Sequence, residues 1–157
     1  MEKKMGFFEA VSQVIRKSFV FNGRARRKEY WSWVLFSALL NIVVAVAAMM
    51  ISSTETVQTC VSLIMNLLVF FPTLSVAIRR LHDVERSGWW YGGYYIALVV
   101  YALFGVILVA GSSVKPFVIF SIIFLVVALC WGVAMLVWSF TEGTNGPNMY
   151  GEDPKRD

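Results

Sequence analysis

Four long apolar runs, divided by short polar segments, dominate the pattern of this chain. They are Trp31–Ile51, Val57–Ile78, Trp89–Ala110 and Phe117–Trp138, and none contains a charge. About 20 apolar residues cross the hydrocarbon of a bilayer. Backbone groups there must bond within their own segment, so each run predicts a transmembrane helix. Ahead of them, Phe7, Phe8, Val11, Val14, Ile15, Ser18 and Phe19 recur with a helical period, and Glu9, Ser12, Gln13, Arg16 and Lys17 take the other face. That pattern predicts an amphipathic helix over residues 5–19 lying flat in the membrane interface. Asn22-Gly23 then turns the chain into the first span.

The segment 139–157 has no such period. Gly143, Gly146, Pro147, Gly151 and Pro154 suggest consecutive turns, and a frayed terminus is expected. Its acids (Glu142, Glu152, Asp153, Asp157) oppose the basic N-terminal segment, which leaves docking open. The expected fold is therefore all-α: one membrane domain over 1–157, with four transmembrane helices in a compact bundle behind an interfacial helix.

Composition points to the same solvent. Hydrophobic residues make up 58% of the chain and charged residues 15%, against about 25% charged in ordinary soluble domains. Mean hydropathy is +0.66. A soluble domain of 157 residues could not hide so much apolar surface. The first run, longer than a signal-peptide core and lacking a polar stretch before Ala45-Val46-Ala47, is expected to stay uncleaved.

Charge predicts orientation. All lysines and arginines except Lys115 lie before the first span, between the second and third, or after the fourth. The positive-inside rule then places both termini in the cytosol. Trp31, Trp33, Trp89, Trp90 and Trp138 fall at the same ends of their spans, as expected of headgroup anchors. Arg79 and Arg80 end the second span, where long cationic side chains can reach phosphates. Ser87 is a candidate N-cap for the third.

Candidate chemistry is sparse. His82 is the only histidine, and the adjacent Asp83 points in a different direction on a helix or strand, so it is poorly placed to orient the imidazole directly. A structural hydrogen-bonding role is expected for His82 ahead of ligand contact, and catalysis last. Cys60 and Cys130 lie at different depths, about 15 Å apart at the helical rise, too far for a disulfide or a shared metal. No metal-ligand cluster, phosphate loop or serine elbow occurs, so neither a catalytic residue nor a metal or cofactor is predicted. Asn41 and Asn66 both come out near the midplane and could bond to each other across the first two spans. Pro72 should kink the second span, and Ala128 with Gly132 offers a close-packing face on the fourth. Mixed basic and aromatic residues could suggest nucleic acid, but the membrane interface explains them, so no nucleic-acid partner is expected.

Three polar segments carry a family likeness: "FNGRARRKEYW" (Phe21–Trp31), "RRLHDVERSGWW" (Arg79–Trp90) and "GTNGPNMYGEDP" (Gly143–Pro154). In this order and spacing they resemble the domain of unknown function 805 family of small bacterial inner-membrane proteins. The resemblance spans Phe21 to Pro154 and implies a multi-span inner-membrane protein, with no established activity, substrate or cofactor. Val84-Glu85 departs from the usual threonine followed by a small or polar residue, and Glu152 from a frequent proline.

By the expected topology all three segments emerge on one cytosolic face. Arg24, Arg26, Glu29, Arg79, Arg80, His82, Asp83, Asn148, Tyr150 and Asp153 are the candidate ligand-binding residues there. Glu29 and Asp83 are available to pair with arginines. Such a cluster either binds an anionic lipid headgroup or a protein partner, or simply ties helix ends together. The expected function is a non-enzymatic inner-membrane protein in contact with the bilayer, with a homo-oligomer as a further possibility. A small transporter or channel subunit is the alternative, and a membrane enzyme acting on lipid phosphate the third reading.

Overall fold

The computed structural model describes residues 5–51, 54–110 and 114–155. Five helices follow one another: α1 (Phe7–Arg16), α2 (Arg27–Ile51), α3 (Glu55–Asp83), α4 (Trp89–Ala110) and α5 (Val114–Phe140). The last four are long and apolar enough to cross a membrane. No strand occurs among the described residues. Lys3, Lys4 and Arg156, which entered the orientation argument, lie outside the described residues, as do positions 52–53 and 111–113 of the two short links.

α2 and α3 pack along each other, α1 lies across both, and α4 pairs with α5. α1 is held at both ends by specific bonds. The Gly6 amide donates to Glu9 Oε2 at 3.2 Å, which fixes its start. At its other end the buried Ser75 hydroxyl of α3 lies 2.6 Å from the Lys17 carbonyl and 2.7 Å from that of Val20. Carbonyls at a helix C-terminus lack partners within the helix, and Ser75 supplies one.

The apolar face of α1 is split. Ala10, Val11 and Val14 are buried, and Val11 and Val14 join Ala25, Trp33 and Val76 in the core. Phe8, Ile15 and Phe19 form a separate exposed stripe, and Phe19 touches Phe71 of α3. The helix thus docks on the bundle with one part of its apolar surface and keeps another bare.

Several expectations change in detail. Trp33 is buried, and its indole donates to Thr73 Oγ1 at 2.8 Å. It packs between helices instead of sitting among headgroups, because its face of α2 meets α3. Asn41 donates to the Ser37 carbonyl of its own helix at 2.9 Å, while Asn66 is exposed. The cross-helix amide pair does not form, since a one-turn backbone acceptor satisfies Asn41 locally. A methyl group added at Gly132 would meet no neighbour within 4 Å, so the small-residue face of α5 is open. Pro72 lies inside α3, as its sequence position required.

Candidate functional site

The start of α2, the end of α3, the start of α4 and the end of α5 meet at one end of the bundle, and the charged residues collect there. Asp83, the last residue of α3, is 2% exposed. Its Oδ1 accepts from Arg24 Nε at 2.9 Å, and its Oδ2 accepts from Arg80 Nη1 one helical turn back. Each oxygen of the carboxylate therefore faces a guanidinium, and both arginines are buried. Charge-assisted bonds of this kind are the strong ones, and their geometry is fixed by the planar fork of arginine.

The remaining arginine donors reach the C-terminal segment. Arg24 Nη1 donates to the Gly146 carbonyl at 2.6 Å, and Nη2 to that of Thr144. Arg80 donates to the Ser139 carbonyl at 3.3 Å and to those of Trp138 and Thr141. It thereby caps the end of α5, where a cation complements the helix dipole. Thr144 N–H returns a bond to the Asp83 carbonyl at 2.9 Å.

His82 faces another way. Its Nδ1 lies 3.1 Å from the Gly23 carbonyl, which can only accept, so Nδ1 carries the proton in that contact. Tyr150 stacks on the imidazole, centroids 3.9 Å apart and planes 3° from parallel. Asn148 Nδ2 donates to the His82 carbonyl and to Thr144 Oγ1, both at 3.0 Å, and Asn148 Oδ1 accepts the Tyr150 amide. Gly23 and Gly146 hold φ of 85° and 81°, the left-handed region that glycine tolerates best. The tail expected to fray is folded onto the helix ends. Its glycines and asparagine serve as turns and hydrogen-bonding groups, which composition alone reads as disorder.

Gly143 shows how close the fit is. A Cβ there would overlap both carboxylate oxygens of Asp83. The packing of the tail on Asp83 needs a residue without a side chain.

Glu29 and Arg79 make a second, looser pair, 3.6 Å apart and each 1% exposed on the side chain. Glu29 Oε1 also accepts the Arg26 amide at 3.1 Å, within the first turn of α2. Asp153 stands at the edge, accepting the amides of Gly146 and Lys155 at 3.0 Å. These N–H groups, the Lys155 amide foremost, and the nearby Arg24 hold its carboxyl below the ordinary aspartate value. Outside the buried set, Arg16, Arg27, Lys28 and Arg86 are exposed. Arg27 pairs with Glu142 at 2.6 Å and Arg86 lies over the Trp138 ring.

The sequence-predicted residues thus separate into groups. Arg24, Arg80, His82, Asp83, Asn148 and Tyr150 converge; Glu29 and Arg79 adjoin them; Arg26 and Asp153 line a neighbouring polar cavity of about 340 Å³. Arg79 and Arg80 turn inward and do not snorkel. Arg80 meets Asp83 and helix-end carbonyls. Arg79 faces Glu29 at 3.6 Å, and its guanidinium nitrogens are buried without a hydrogen-bond partner among the described residues. Sequence reasoning missed Thr144, Gly143 and the carbonyls of Ser139 and Thr141. Only the glycine spacing of the tail hinted at a close approach. Among the described residues, no three His, Cys, Asp or Glu side chains gather as metal ligands.

Comparison with known proteins agrees with this picture at the level of family. The model of a family described as protein of unknown function (DUF805) matches residues 18–152. Inner membrane protein YhaI of Escherichia coli K12 is 33% identical over 142 residues, covering 90% of this chain and 92% of the relative. Inner membrane protein YhaH of the same strain is 28% identical over 144 residues, covering 91% and 93%. The uncharacterized protein YiiR is 30% identical over 137 residues, covering 86% of each. No solved structure matches the chain significantly.

Proposed function

This chain belongs to the DUF805 family of proteins of unknown function, and from that premise we propose a non-enzymatic inner-membrane protein whose cytosolic face rests on anionic lipid headgroups. Both termini lie in the cytosol in this reading, because the basic residues concentrate at the charged end. The buried arginines organise that end, and the exposed ones meet lipid.

The single observation that supports this reading is the division of the cations. Arg24 and Arg80 direct their donors to Asp83 and to backbone carbonyls. Arg16, Arg27, Lys28 and Arg86 stay exposed around the rim. Beside them, Trp89 is 74% exposed, and α1 with the turn after it offers the bare side chains of Phe8, Ile15 and Phe19. Apolar and aromatic groups next to cations suit an anionic interface, with each cation contributing about 1 kcal/mol.

Native mass spectrometry of the purified protein with mixed phosphatidylglycerol and phosphatidylethanolamine tests the reading. The wild type should retain phosphatidylglycerol preferentially, and the combined substitution R16Q/R27Q/K28Q should remove most of that preference while the fold persists. Equal retention of the two lipids by the wild type would refute it.

A further inference from the structure

The cavity beside the charged cluster has walls of opposite sign and different origin. Lys17, Arg24 and Arg26 come from the N-terminal part of the chain, whereas Glu152 and Asp153 come from the C-terminal segment. Lys17, just after α1, and Glu9 and Gln13 within it lie on the polar side of that helix, so α1 lines the cavity with the side away from the exposed Phe8 and Ile15. Arg24 Nη1 points out of the Asp83 pair to the Gly146 carbonyl, and Nη2, itself 2.8 Å from Asp83 Oδ1, also donates to the Thr144 carbonyl. Carbonyl and carboxylate oxygens of the tail thus stand around a basic cradle where the oxygens of an external anion could stand.

We propose that Lys17, Arg24 and Arg26 form a phosphate-binding cradle and that the segment Gly143–Pro154 is its internal competitor. Docked, the tail supplies Asp153 and Glu152 as counter-charges and gives Arg24 two carbonyl acceptors. Displaced, it removes the Glu152, Asp153 and Pro154 wall of the cavity and leaves Lys17, Arg24 and Arg26 on the opposite wall, with Glu9 the acid that remains there. Arg24 keeps Asp83 through Nε and one Nη2 hydrogen, and turns Nη1 and the Nη2 hydrogen released by Thr144 to phosphate oxygens, the fork geometry that arginine favours. Arg80 stays with α5, because its acceptors Trp138, Ser139 and Thr141 precede the tail. The occupant is a phosphate group, carried either by a lipid headgroup or by a soluble phosphate ester.

This inference deepens the proposed function and rests on it for the lipid source alone. The tail loses both charges in E152Q/D153N, and the single amide oxygen at position 153 can keep one of the two bonds that Asp153 accepts from the Gly146 and Lys155 amides, so the tail is also held less firmly. A second variant ends the chain after Glu142. Binding is measured by native mass spectrometry with phosphatidylglycerol, and by isothermal titration with glycerol 3-phosphate as the soluble probe. E152Q/D153N should bind at least one probe about tenfold more tightly than wild type, the expected result of deleting two like charges. Adding K17Q and R26Q should abolish the gain. Response to phosphatidylglycerol alone assigns the lipid source, and response to glycerol 3-phosphate the soluble one. No gain in folded E152Q/D153N, or a gain that survives K17Q/R26Q, overturns the proposal whether or not the truncated chain folds. Wild-type preference for phosphatidylglycerol persisting with no gain would sink the cradle and leave the proposed function standing.

Discussion

The two ends of α3 show opposite rules for what is inside. Near its start, Leu63, Ile64, Leu67 and Leu68 are exposed. Near its end, Arg79 and Arg80 are among the largest fully buried side chains. The same inversion holds across the molecule. α4 and α5 present Ile107, Ile122, Leu129 and Val133 outward, whereas Arg24, Glu29, Asp83 and Asp153 are buried. Lipid as solvent explains the first half, because exposing an aliphatic side chain to hydrocarbon costs nothing and packing it gains little. The second half rests on pairing: Asp83 and carbonyls replace the hydration of Arg24 and Arg80, whereas Arg79 has only the Glu29 carboxylate, 3.6 Å away, and no hydrogen bond among the described residues. The spans are therefore individually at home in lipid, and the specificity of their arrangement resides at the charged end.

Substitutions at the two regions should differ most sharply at Asp83. Asp83→Ala leaves Arg24 and Arg80 buried without their shared carboxylate, at a cost of about 3–5 kcal/mol. Leu129→Ala, at a lipid-exposed position, should cost less than about 1 kcal/mol. Reversible unfolding in mixed micelles measures both, and similar costs would break the contrast.

Next comes Gly143→Ala, which adds a single methyl. Its Cβ would overlap Asp83 Oδ2, so the tail must shift, at about 1–3 kcal/mol. Limited proteolysis should cut the variant within 143–154 while leaving the wild type intact there. Smaller again is Tyr150→Ala, which removes the ring stacked on His82 and should cost about 1 kcal/mol in the same unfolding assay. Tyr150→Phe keeps the ring and should restore nearly all of that loss.

The mildest perturbation is acid. Asp153 has a folded-state pKa below its unfolded value. Its contribution to tail docking is therefore fully present above the ordinary aspartate value and is lost as pH falls through the lowered folded value. Proteolytic protection of the tail should weaken in that acidic window, and Asp153→Asn should flatten the dependence. Unchanged pH sensitivity in that variant would assign the effect to another group.

The membrane helices were legible in the sequence because hydropathy acts over about 20 residues and needs no partner. Their recovery as α2 to α5 required nothing from tertiary structure. The charged end was legible only as an inventory. Arg24, Arg80 and Asp83 could be named from sequence, and so could the chance that Asp83 pairs with arginine. Which arginine takes which oxygen depends on how three distant segments meet, and local pattern does not encode that. The tail was the least legible part. Gly143, Gly146 and Gly151 carry the weak local signature of a free terminus, yet Gly143 is small because Asp83 stands against it. Asn41 failed for the opposite reason: its Ser37 acceptor is local, and a long-range partner was expected.

Hydrogen exchange at the tail amides, in the full-length protein in a lipid environment, probes the docked end most directly. The amides of Thr144, Gly146, Asn148 and Gly151 all donate to acceptors in the folded structure. They should exchange at least about a hundredfold more slowly than in an unstructured peptide, and Asp83→Asn should bring them close to peptide rates. Wild-type amides exchanging at peptide rates would contradict the docked tail and the buried charge network built around it.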